Sequence, residues 1–268
     1  MHALLLLALL ALPARALALG DVQAVVRNGV LEVTGDEEAN VFRIAASGPG
    51  TAVVSVFEGT TVNDGLTAVT LSGVSSLKID TGAGDDRVEI LQLDLPETLT
   101  MKLGRGVDDV ILQDVRVQGK TQIKGGRDRN VVTIRGFSRF RGQLVVETGK
   151  GSDEVTLTNA TISGGLRVDT GGDGDTVLMQ LCALEQGGTL LVRSGKGEDL
   201  VTVVGSDFFD AVEFVLGKDA DDLRIQDSDF DQEFDADGGA GEDALDFDGS
   251  VTFEPLAPQR IVGFEGTS

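Results

Sequence analysis

The sequence predicts an all-β protein. The fold class is a right-handed parallel β-helix: a three-sided solenoid of 22-residue coils, about nine coils in all, with N- and C-terminal cap strands. Three observations predict it. The motif G-x-[GD]-x-[DN] occurs eight times, with its first glycine at Gly82, Gly104, Gly126, Gly149, Gly171, Gly195, Gly217 and Gly239. The spacings between them are 22, 22, 23, 22, 24, 22 and 22 residues. Around each glycine, apolar residues come in pairs separated by two, the period of a β-strand.

Position zero is set here as the first glycine of each motif. The first strand holds apolar residues five and three places before it, from Leu77 and Ile79 to Phe234 and Ala236. The second holds them six and eight places after it, from Val88 and Ile90 to Leu245 and Phe247. A third, weaker pair lies at +11 and +13: Leu93/Leu95, Val115/Val117, Ala160/Ile162 and Cys182/Leu184. It degrades to Ser206/Phe208 and Ser228/Phe230. Three short strands per 22 residues describe one coil, and a coil can bury its apolar face only against its neighbours. Within the repeats proline occurs only at Pro96, as an internal hydrogen-bonded ladder requires. The right hand follows from the rule for parallel crossovers.

Register is testable from charge. At position −2 the coils carry Asp80, Lys102, Lys124, Glu147, Asp169 and Arg193. In-register stacking sets Asp80 against Lys102, Lys124 against Glu147, and Asp169 against Arg193, each pair worth about 0.2–1 kcal/mol.

The expected organisation is a signal peptide over 1–18, a divergent N-terminal coil with cap strands over 19–75, the repeats over 76–250 and a C-terminal cap over 251–268. The run from Ala3 to Leu12 is apolar but too short to span a bilayer, and small-x-small cleavage patterns follow it. Leu31, Val33, Asn40, Phe42 and Ile44 fit one more coil, with Asp36 in the place of the glycine. Residues 50–75 alternate like strands but lack the turn motif. Val251, Phe253, Ile261 and Phe264 would close the other end.

The 44 acidic and 22 basic residues give a net charge of −22. That disfavours nucleic acid and anionic membrane surfaces, and favours divalent cations. The one cysteine, Cys182, sits in a strand pattern and reads as a buried thiol. Residues 198–268 hold 20 acidic and 3 basic residues, a solvated face or a low-affinity cation sponge. Residues 99–150 hold 11 basic and 5 acidic. There Arg135, Arg139 and Arg141 form a patch for acidic glycans or pair with acids of a neighbouring coil.

The candidate metal residues stand at position +4: Asp86, Asp108, Asp153, Asp175, Asp199, Asp221 and Asp243, with Asn130 between. Stacked at about 4.8 Å, ionised neighbours repel by about 1 kcal/mol in water and several times that in a less polar setting. Bound cations, amide hydrogen bonds or raised pKa values would each relieve this. A basic file at +1, namely Arg105, Arg127, Lys150, Lys196 and Lys218, could offset it as well.

Gly82-Ala83-Gly84-Asp85-Asp86-Arg87-Val88, and the equivalent turns at Gly149, Gly195 and Gly239, resemble the repeats-in-toxin (hemolysin-type) motif G-G-x-G-x-D-x-U-x. A wider similarity to secreted bacterial repeat proteins runs from Val33-Thr34-Gly35 through Asn40 and Phe42. The resemblance implies Ca2+ held between turns by the seven aspartates. The chain departs from that family in its 22-residue period and in Asp128, Asp173 and Asp219, which replace the second loop glycine. Without a cation, the column would be a turn hydrogen-bond ladder.

The expected function is a secreted structural or surface/matrix binding module (extracellular, cell surface or periplasm), calcium-stabilised if the turns hold the ion, contacting divalent cations or a matrix polymer, with no catalysis and no membrane span. The alternative is a polysaccharide lyase or hydrolase on the same scaffold. Against an enzyme, there is no Trp or Tyr to stack on sugars, and the only histidine is His2.

Overall fold

A computed structural model describes residues 20–267, so the expected signal peptide over 1–18 lies outside the described residues. The described residues wind as a parallel β-solenoid with three sheets and no helix. Two sheets have twelve strands and the third has eight. The first complete coil is made of Ser76–Asp80, Arg87–Leu91 and Asp94–Leu95, and the eighth of Phe234–Ala240, Ala244–Asp248 and Thr252–Phe253. The divergent segment supplies a further coil lacking its third side. Val30–Thr34 pairs with the first sheet through Leu31↔Leu77, and Val41–Gly48 with the second through Phe42↔Val88.

Every charge pair used to test register lies opposite its partner: Lys102↔Asp80, Lys124↔Glu147 and Asp169↔Arg193. The first two close ion pairs of 3.2 Å. Asp169 instead takes Arg167, two residues away on its own strand, at 2.7 Å.

The alternating residues fill one continuous apolar column from Val22 to Leu245. Cys182 lies within it, 2% exposed, and burial pushes its thiol up to about 11. Phe208, Phe230 and Phe253 stack at 5.0 and 5.3 Å, following the coil repeat along the third sheet. Among the described residues no helix is long and apolar enough to cross a membrane.

The ends differ. At the N-terminus, Asp21–Arg27 runs antiparallel to Val30–Thr34 and Thr51–Val56 antiparallel to Val41–Gly48, and they bury Val22, Ala24, Ala52 and Val54 over the core. This lid covers sheet edges and apolar ends that would otherwise face solvent. At the C-terminus, Gln259–Val262 and Gly266–Thr267 add to the first two sheets in the parallel sense. That stretch, expected as a cap, adds one strand to each of those two sheets, with Asp237 opposite Val262 and Leu245 opposite Thr267.

Two turn columns set the coil geometry. At position zero, a Cβ would stand 1.8–2.3 Å from the carbonyl oxygen one coil before, from Gly82 facing Asp36 to Gly239 facing Gly217. Only glycine lets the backbones approach so closely. At +10, between second and third strands, every coil adopts a left-handed residue: Gln92, Asp114, Gly136, Asn159, Leu181, Gly205, Asp227 and Gly249, with φ from 48° to 74°. Leu181 is the poor fit, a bulky residue with φ of 53° whose side chain is largely exposed. A left-handed residue with a Cβ costs about 1–2 kcal/mol. Leu181→Asn should therefore raise stability by roughly 1 kcal/mol in urea unfolding, whereas Gly195→Ala, 2.2 Å from the Gly171 oxygen, should lower it by more than about 2 kcal/mol. A Leu181→Asn protein no more stable than the parent would refute the strain assigned to that turn.

Candidate functional site

Position +4 lies where the glycine loop meets the second strand, as the last loop residue in most coils and as the first strand residue at Asp108 and Asn130. There the aspartates line up along one edge. Asp86, Asp108, Asp153, Asp175, Asp199, Asp221 and Asp243 are each 1–3% exposed, as are Asn40 and Asn130 at 0%. The expected column exists, and its side chains lie beneath the surface.

One oxygen of each aspartate has a defined task. Oδ1 accepts the backbone N–H of the equivalent residue one coil earlier. The donors are Asn40 N–H to Asp86 at 2.7 Å, Asp86 to Asp108 at 3.0 Å, and Asn130 to Asp153 at 2.6 Å. Asp153 to Asp175 and Asp175 to Asp199 follow at 2.8 Å, then Asp199 to Asp221 at 2.9 Å and Asp221 to Asp243 at 3.0 Å. The turn amides cannot join the regular strand ladder, so the carboxylates satisfy them.

The two asparagines start the runs. Asn40 begins one and Asn130 the next. At the join, the Asp108 N–H leaves the column and reaches the Arg129 carbonyl at 3.2 Å. Each asparagine also donates through Nδ2 to its own loop, at Glu38 and Asp128, and to the Thr81 and Thr148 carbonyls of the next coil. Those bonds need space at position −1. It is Gly35 in one coil and Gly125 in the other, where a Cβ would fall 2.7 and 2.9 Å from the asparagine Nδ2.

The second oxygen is the unusual one. Oδ2 of all seven aspartates is buried with no hydrogen-bond partner. Burial pushes the carboxyl of Asp86 up to about 6, and those of Asp108, Asp175 and Asp221 up to about 7. The N–H bonds to Oδ1 pull the other way. Neighbouring acids add to the rise: Asp36 for Asp86, Asp85 and Asp128 for Asp108, and Asp219 for Asp221. Asp153 and Asp199 rise for the same reason of burial.

Calcium takes six to eight oxygens, usually from several carboxylates and carbonyls at once. Here a position between two coils has two free Oδ2 atoms, and every Oδ1 already holds an N–H. Among the described residues no three His, Cys, Asp or Glu side chains gather closely enough to hold a metal ion.

The basic file at +1 does not neutralise the column. Arg105, Arg127, Lys150, Lys196 and Lys218 are exposed. Among the described residues, none of the five forms an ion pair. Nor do Arg135, Arg139 and Arg141 form ion pairs with acids of a neighbouring coil among the described residues; Arg135 donates to the Gln113 amide oxygen, and Arg139 lies opposite Arg116 on the paired strand.

Two features lay outside the sequence reading. The serines at +11, taken as lapses in an apolar column, are buried acceptors. Ser138, Ser206 and Ser228 hydroxyls receive the N–H of Val115, Cys182 and Ser206 from the coil before. In the coil of Gly126 the serine and its Phe140 come one residue late because of the 23-residue spacing. The departures at +2 are also structural. Asp128, Asp173 and Asp219 each accept, through Oδ2, the N–H of the +2 glycine one coil earlier, at 3.1–3.2 Å. The signal for both was available: a polar residue recurring at one coil position.

No protein-family model, no curated protein and no solved structure matches the chain.

Two outcomes follow for the column. Asp175→Ala strands the buried Asp153 N–H and should cost about 1–3 kcal/mol, and Asp175→Asn should cost a comparable amount, because Thr170 stands at −1 where the asparagine coils carry glycine, both read by urea unfolding. Acids whose folded pKa lies above the usual 3.8 bind protons more tightly when folded. Their stabilisation is complete below about pH 4 and is lost as pH rises through about 7. In chelator-containing buffer the urea midpoint should therefore fall from about pH 5 to about pH 8; a midpoint that rises over this range would show the column to be stably ionised.

Proposed function

We propose that the protein is an extracellular structural module: a stiff, non-catalytic rod whose aspartate column works as a hydrogen-bond ladder and needs no calcium to fold. The single observation that carries this reading is the unbroken register. Eight complete coils follow one another in three sheets, and the largest departure from 22 residues is two. At about 4.8 Å per coil the stack extends for roughly 40 Å.

A catalytic solenoid needs long loops raised on one face to wall a cleft, and this spacing leaves little chain for them. Most of the phenylalanines that could grip a sugar are committed to the core, Phe57, Phe137 and Phe209 being the exposed ones. Phe42, Phe140, Phe208, Phe214, Phe230 and Phe234 are fully buried. The described residues contain no histidine, tryptophan or tyrosine. Export is supported by the apolar leader and its small-residue cleavage patterns. A calcium-stabilised rod is the competing form of this reading. It is favoured by the free Oδ2 atoms and disfavoured by the occupied Oδ1 atoms.

Calcium titration decides between the two forms. The mature protein, titrated calorimetrically with calcium and followed by circular dichroism with and without chelator, should give no saturable heat and the same melting temperature in both. A melting temperature that climbs with calcium would replace the ladder with a metal-held column. Incubation with neutral and acidic polysaccharides should leave their chain lengths unchanged, and any cleavage would restore the enzyme alternative.

A further inference from the structure

We propose that the glycine-floored groove along the first turn is a binding site for a linear polyuronate, a glycan carrying one carboxylate per sugar. This goes beyond the rod reading, since a stiff extracellular rod need bind no polymer.

The groove is built by the repeat itself. Gly82, Gly104 and Gly126 form its floor, where no side chain rises. Arg105 and Arg127 stand along one wall, Asp80 and Lys102 along the other, and Asp36 and Glu37 at the N-terminal end. Lys150 continues the cationic wall into the next coil, and Lys196 and Lys218 extend it after a gap at Gly172. Lys102 is already paired with Asp80 at 3.2 Å, so the other wall is electrically closed. The cationic wall is open. Its five members form no ion pair among the described residues, in a chain with twice as many acids as bases. Lys196 and Lys218 even lie directly opposite each other on paired strands, an arrangement that costs stability.

Like charges in file are relieved by a ligand that brings opposite charges in file. The file advances one cation per coil, about 4.8 Å. An extended acidic peptide puts same-face carboxylates about 6.8 Å apart and falls out of step. A nucleic-acid strand spaces its phosphates about 3.4 Å apart along a duplex axis and falls out of step as well. A sugar chain also brings hydroxyls, which the Asp36, Glu37 and Asp80 carboxylates can accept hydrogen bonds from. Arginine guanidinium groups take a carboxylate through two parallel bonds, which suits Arg105 and Arg127. With no aromatic side chain in the groove, attraction rests on charge and must weaken with salt.

The test uses the full mature chain and oligogalacturonate, with chelator present and at low salt, by calorimetry. Binding should be seen, should weaken at least about tenfold (about 1.4 kcal/mol) in the Arg105→Gln, Arg127→Gln double variant, and should vanish for the methyl-esterified oligomer. Both arginines are exposed, and circular dichroism of the variant checks that the fold is kept. The Arg139→Gln, Arg141→Gln variant, with the same change in charge on another side, should bind as the parent does. No binding by the parent, binding that appears only with calcium, or equal weakening by the two double variants would each overturn the proposal. None of these outcomes touches the rod reading, which stands or falls on calcium response and catalysis.

Discussion

The structure depends on backbone touching backbone at position zero. Each coil lays its glycine against the carbonyl oxygen of the coil before, closer than any side chain permits. That contact makes one turn of every coil superimpose on the last. Once the turn is in register, the strands on either side must pair residue for residue, and the apolar pairs fall into columns. A slip of one residue would carry each inward side chain to the surface. The insertions between Gly126 and Gly149, and between Gly171 and Gly195, are therefore absorbed outside the glycine turn. The first delays Ser138 and Phe140 by one place; the second swells the chain around Gly187 and Gly188. In neither case does the next glycine leave its column.

Much of the fold was legible because stacking converts sequence position into space. Period, three strands per coil, the inward residues and the charge register could all be read from spacing alone. The aspartate edge was legible for the same reason, down to its members. What spacing could not convey was direction. Asp86 and Asp175 lie on the predicted edge, but whether a carboxylate at a turn faces solvent or the coil above depends on which backbone amide needs an acceptor. That amide belongs to the preceding coil and looks unremarkable in the sequence. The serines at +11 were misread by a related route: hydropathy marks Ser206 as a fault in an apolar column, yet a buried amide from Cys182 requires it. The left-handed column at +10 was hidden because Gln92, Leu181 and Gly205 share no chemistry, only a dihedral angle.

Polar columns complete what the apolar core leaves undone. Each coil turns three times, and each turn breaks the regular ladder and frees an N–H. At two of these turns the chain answers with side-chain acceptors from the next coil: at the first, an aspartate at +4 and in alternate coils one at +2, and at the second, a serine in three coils, Ser138, Ser206 and Ser228. A carboxylate is the strongest of these acceptors, but it brings a second oxygen that nothing in the column satisfies. The asparagines show the cost from the other side. Asn130 uses its amide nitrogen productively, but only because Gly125 clears room, and it cannot prolong the run that precedes it, since the Asp108 amide turns to a backbone carbonyl instead. Aspartate therefore extends a run and asparagine opens one.

The same logic separates the positions that serve stability from those free to serve anything else. Positions zero, +4, +10 and +11 answer to a neighbouring coil, and a change there is felt through the stack. Positions −2 and +1 project beside the glycine turn and lie opposite their counterparts above and below. At −2 two counterparts of opposite sign close on each other, Lys102 with Asp80 and Lys124 with Glu147, while Lys102 also lies opposite Lys124 and Glu147 opposite Asp169. At +1 the counterparts repeat the same sign, as Lys196 does with Lys218, which works against stacking. A file that stacking would not choose, kept through five coils of a strongly acidic chain, is where contact with something outside the rod explains most.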